Sequence, residues 1–93
     1  MAQHGPVTSP KGVVTQITNS NVASITFQNR SVWPVWVGAS IDETAPSVDD
    51  MFIYMPTQGE AKTMAELFPG ITGAMRVFTF CAEGDAEVMV SHA

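Results

Sequence analysis

The sequence predicts an all-β chain: a single small β-sandwich or partly open barrel of six to seven short antiparallel strands, with an extended N-terminal arm. Three observations lead there. Short apolar stretches are separated by clusters of Gly, Pro, Asn and Ser along the chain. Several of these stretches alternate apolar and polar residues with the period of two that a half-buried strand requires. No segment sustains the i, i+3, i+4, i+7 spacing of an amphipathic helix, and no internal repeat points to a solenoid.

Taken in order, residues 1–12 hold Gly5, Pro6, Pro10 and Gly12 without apolar periodicity and read as an extended or mobile arm. Residues 13–93 read as one β-sandwich domain. Val13–Ile17 is β-branched and forms a first strand, and the turn chemistry of Thr18–Asn21 predicts a hairpin into the alternating strand Val22–Gln28. Asn29 opens an acceptor sequon, but reads here as turn chemistry leading into Ser31–Gly38. That stretch carries both tryptophans, with Trp33, Val35 and Val37 on one face and Pro34 and Trp36 on the other. Pro34 cannot donate to a ladder, which predicts an edge, a bulge or an N–H position turned away from a neighbour. Trp33 and Phe27 are expected in the core, whereas Trp36 suits core and interface alike.

Gly38–Asp50 is the longest irregular segment. Its acids, Asp42, Glu43, Asp49 and Asp50, lack the regular spacing and the glycine of a calcium loop and read as a solvated acidic loop. Met51–Met55 is a continuous apolar run stopped by Pro56, which fits a strand buried on both faces or one buried against a partner. Thr57–Ala61 turns the chain through Gly59. Lys62–Phe68 reads as one helical turn or as a strand ending in a turn, stopped by Pro69-Gly70. Ala74–Cys81 is apolar on both faces and is expected as a central strand. A hairpin turn at Glu83-Gly84-Asp85 then leads to a last strand with Ala86, Val88 and Val90 inward.

Composition bounds function more than motifs do. Charged residues make up 14% of a chain that is 45% hydrophobic, against roughly 25% charged in ordinary soluble domains. A surface so poor in charge is expected to be partly covered, with the six methionines and two tryptophans supplying adaptable contact area. A homo-oligomer is therefore expected. The net charge is −5 with Lys11, Arg30, Lys62 and Arg76 as the only cations, which argues against nucleic acid as a partner. No stretch approaches the eighteen or so apolar residues of a membrane span, and no membrane partner is expected. Cys81 is alone and reads as a small buried hydrophobe.

Catalytic, metal and cofactor sites find no candidates in the sequence, and the chain reads as a non-enzyme. His4 and His92 sit at opposite ends, and no nucleophile elbow, phosphate loop or paired-histidine motif is present. A small enzyme would need Asp42, Asp49, Asp50 and a histidine brought together. The candidate interface residues are Trp36, Met51, Phe52, Tyr54, Phe68 and Arg76, with Pro6 and Pro10 in the arm. Trp36 and Tyr54, with Phe52, could also stack on a sugar, so a carbohydrate-binding module for host-surface attachment is the competing class.

The stretches Ser24–Ser31, Pro34–Ala39, Leu67–Ala74, Arg76–Phe78 and Val88–Ala93 resemble small β-proteins of virions. They are similar to those of tailed phages and of the phage-derived gene transfer agents of alphaproteobacteria, over roughly residues 22–93. The resemblance implies a non-catalytic particle component made in the bacterial cytoplasm and located in the virion: a head decoration, or the base that seats a spike or fibre on the capsid, with a neck or tail ring component as the alternative position. Its implied partners are capsid or other virion proteins and a fibre or spike protein. The arm would then reach a neighbouring subunit or the capsid.

Overall fold

Alternation along the chain is realised as two four-stranded antiparallel sheets in a computed structural model that describes residues 2–92. Met1, at the start of the expected arm, and Ala93, at the end of the expected domain, lie outside the described residues. The strands are β1 (Gln3–Ser9), β2 (Thr15–Gln16), β3 (Ser24–Asn29), β4 (Val35–Ser40), β5 (Phe52–Tyr54), β6 (Gly59–Thr63), β7 (Arg76–Phe80) and β8 (Ala86–His92). One sheet has the order β1-β8-β3-β6 and the other β2-β7-β4-β5. Only β4 and β5 are consecutive strands of the same sheet; every other connection carries the chain from one sheet to the other.

The core draws on both sheets. Ile25, Phe27, Ala86, Val88 and Val90 come from the first, and Val35, Val37, Ala39 and Val77 from the second. The strongest alternation in the sequence gives the clearest strand: in β3, Ile25, Phe27 and Asn29 are buried while Ser24, Thr26 and Gln28 are exposed. β7 lies between β2 and β4, the central position that its two apolar faces require. Phe27 is 3% exposed, Cys81 is fully buried, and Trp33 is partly buried against the core.

Several expectations are corrected. The expected arm is extended, but Gln3–Ser9 lies along its own domain as β1, paired in register from Gln3 opposite His92 to Ser9 opposite Ala86. Glycine and proline punctuation hid this strand. Its inward side chains are Gln3, Gly5, Val7 and Ser9, so it has no apolar stripe to recognise. With β1 and with β6, which the turn reading of Thr57–Ala61 had absorbed, the described residues form eight strands where six to seven were expected.

Neither expected hairpin forms. Thr18–Asn21 and Glu83–Asp85 both join strands of different sheets, because turn residues specify a reversal without specifying which sheet receives the next strand. Pro34 stands immediately before β4 rather than within it, leaving β4 free to occupy a central place and Trp33 outside the strand. In the Lys62–Phe68 stretch, β6 ends at Thr63 and a single helical turn, α1 (Met64–Leu67), follows it. A capping box starts that turn: the Thr63 hydroxyl accepts from Glu66 N–H while the Glu66 carboxylate accepts from Thr63 N–H. These bonds to Thr63 hold the Glu66 carboxyl below its ordinary value.

Candidate interaction surface

At one side of the molecule β5 and β6 run as the outer strands of their respective sheets, and the two edges differ in chemistry. In β5, Phe52 is 61% exposed and Ile53 51%, and Met55, just beyond it, is 50% exposed. Their neighbour Tyr54 turns inward opposite Val35 and meets the Phe27 ring edge-on, with centroids 5.0 Å apart. Burial pushes the Tyr54 phenol above its ordinary value, and the Glu60 carboxylate adds to the shift. Glu60 and Lys62 of β6 stand opposite the core residues Phe27 and Ile25, so both charges lie on the inward side of an edge strand, 3.4 Å from each other. A groove of about 360 Å³ separates the edges, lined by Phe52, Ile53, Tyr54, Gln58, Gly59 and Glu60.

The turn between these strands is held from within. Gln58 N–H donates to the Met55 carbonyl, 3.0 Å, with Pro56 and Thr57 between them, and Thr57 has φ 72°. That is the left-handed backbone a type II turn demands at its third position, where glycine is usual. The strain is held by the Thr57 N–H bond to the Asn29 carbonyl, 2.9 Å, and by the Gln58 side chain accepting from Met55 N–H, 2.7 Å.

Trp36 is half-buried on the outer face of its sheet, with Ile53 of β5 and Phe80 of β7 as its register partners. The next stretch of that face is covered by the chain itself. A Cβ on Gly38 would stand 2.8 Å from Met51 Cγ and 3.1 Å from Pro46 Cγ, so the acidic loop crosses here and only glycine leaves it room. Met51 is accordingly 7% exposed. Trp36 and Tyr54 point to opposite faces of the sheet and do not make one stacking platform.

The remaining candidates lie apart from this edge or beneath it. Phe68 is a core residue, 8% exposed, whose ring lies 6.2 Å from that of Phe52. Arg76 donates to the Asn21 side chain, 2.8 Å, and pairs with Glu43 of the same chain at 3.7 Å. Pro6 and Pro10 are exposed in and just beyond β1, at the opposite edge of the other sheet. Asp42 is spent on its own loop, where Thr44 N–H and the Ser40 hydroxyl hold its carboxyl below the ordinary value. Among the described residues no three His, Cys, Asp or Glu side chains are gathered as a metal site would need.

Ile53 and Met55 were not singled out in the sequence, although the apolar run containing them was. Their exposure follows from β5 being an edge strand, which depends on pairing partners far along the chain. No protein-family model, curated protein or solved structure matches this chain.

Proposed function

We propose that this protein is a non-catalytic structural component of a phage or phage-derived particle, a symmetric oligomer on the head that serves as a spike or fibre base or as a decoration protein. The observation that carries the reading is the apolar β5 edge. Phe52, Ile53 and Met55 at half exposure or more, with Ile53 opposite the half-buried Trp36 and Phe52 on the other face of the strand, give the kind of apolar edge by which a subunit is held in an assembly. The strand orders β1-β8-β3-β6 and β2-β7-β4-β5 are in addition those of an eight-stranded jelly-roll sandwich. Viral capsid proteins use that architecture, and so do lectins and cupins. The analogy is one of fold, so the surface has to discriminate. The carbohydrate-binding alternative relied on Trp36 and Tyr54 acting together, and their opposite orientation leaves it without that platform.

The test is occupancy. Mass spectrometry of particles purified from producing cells should find the protein at a fixed ratio to the capsid protein. Cryo-electron microscopy of particles made without it should show one head density lost and the capsid shell intact. Purified particles that contain none of the protein would overturn the reading.

A further inference from the structure

We propose that the groove between the β5 and β6 edges receives an arginine side chain carried by another protein; this rests on the reading above only in taking the β5 edge as the surface that meets a partner. At about 360 Å³ the groove stands at the lower end of the roughly 300–1,000 Å³ range of ligand pockets, room for one long side chain rather than a folded element. Two aromatic side chains and one carboxylate line it together. Phe52 is 61% exposed and leans on Phe68 with ring centroids 6.2 Å apart. Glu60 faces the aromatic pair from β6, and its charge adds to the effect of burial in raising the Tyr54 phenol. Rings beside an acid suit a guanidinium, which stacks on an aromatic face and forks its N–H donors onto carboxylate oxygens. Lys62 meets Glu60 Oε2 at 3.4 Å without lining the groove, and so exposed a pair has little strength to keep another cation away.

Charge complementarity decides which partner brings the arginine. The chain carries −5, and the exposed Asp49 and Asp50 stand just before Met51 at the head of β5, so a basic segment is drawn to this edge. A second copy brings the same negative charge, and its two arginines are already engaged, Arg30 with Glu87 at 3.4 Å and Arg76 with Glu43 at 3.7 Å. The source is a polypeptide rather than a small cation. Ile53, which lines the groove, and Met55 beside it are half exposed, and residues flanking the arginine in a chain would cover them where free arginine or a polyamine leaves them bare.

NMR titration of the isotope-labelled full chain with an end-blocked Leu-Arg-Leu peptide tests the proposal, with Leu-citrulline-Leu as its uncharged isostere. Leu-Arg-Leu should give saturable shifts centred on residues 52–54 and 58–60, and the citrulline peptide should bind about tenfold more weakly or worse. Glu60→Gln should weaken Leu-Arg-Leu about tenfold, whereas Glu43→Gln, which changes the net charge equally, should leave it unaltered. Phe52→Ala, at an exposed position, should weaken it too and takes over if Glu60→Gln lowers the melting temperature. No saturable shift, shifts centred elsewhere, equal binding of the citrulline peptide or an equal loss in Glu43→Gln would overturn the proposal. Free arginine binding as tightly as Leu-Arg-Leu would overturn a protein as its source. Particle occupancy is read separately, so a failure here leaves the particle assignment standing, and absence from particles leaves the groove standing.

Discussion

Asn29 is 1% exposed and its side-chain amide is fully used. It donates to the carbonyls of Trp33, 2.7 Å, and Tyr54, 3.0 Å, and accepts from Ser31 N–H, 2.9 Å, and the Ser31 hydroxyl, 2.6 Å. Its backbone carbonyl accepts from Thr57 N–H and its N–H donates to the Gln58 carbonyl. One residue at the end of β3 thus ties the first sheet to β5 of the second and to the turn beyond it. Asn29→Ala should cost about 2–4 kcal/mol in denaturant unfolding, because several polar groups are left in the interior without their partner. Asn29→Asp should cost at least as much, since a carboxylate would face two carbonyls. Turn chemistry was legible at this position in the sequence; the buried hub was not, because Trp33 and Tyr54 become its neighbours only through the fold.

Among the elements, β1 departs furthest from expectation, and the departure changes what a truncation does. β1 covers the β8 edge over seven residues, and the buried Ser9 hydroxyl accepts from Thr79 of the other sheet at 2.9 Å. Deleting residues 1–12 should therefore lower the melting temperature by many degrees or abolish cooperative unfolding, rather than release a free arm from an intact domain. It also bares β8, whose Val88 and Val90 are buried here, and should promote aggregation measurable by light scattering. A truncated chain that melts like the full one would restore the arm as a separate segment. The capping box and β8 lie at the other extreme: Thr63 three residues before Glu66, and Ala86, Val88 and Val90 in alternation, are signals contained within a few neighbouring residues.

For the molecule as a unit, the connections decide the kinetics. Apart from β4 and β5, no two consecutive strands lie in one sheet, and the first described strand pairs with the last. Such pairings cost loop-closure entropy before contacts repay it, so stopped-flow refolding should proceed in milliseconds to seconds rather than microseconds. A microsecond phase carrying the full amplitude would contradict this wiring. The same wiring sets the apolar β5 edge beside the charged β6 edge across one groove, so the surface proposed for assembly is a property of the completed fold.

What neighbouring residues dictate was readable in advance: the all-β class, the inward faces of β3 and β8, the central place of β7, and burial of Cys81. Each follows from side-chain alternation or hydrophobicity within one strand length. The destinations of the turns, the capture of residues 3–9 by β8, the coverage of Gly38 by Met51, and the exposure of Ile53 followed only from the assembled sheets. These depend on which distant strand supplies hydrogen bonds and which faces are already covered, and a period of two is the same whether a strand is central or at an edge. Met51–Met55 holds both lessons: its apolar character was visible from the chain, while its place at an edge was set by β4 taking it as the last strand of its sheet.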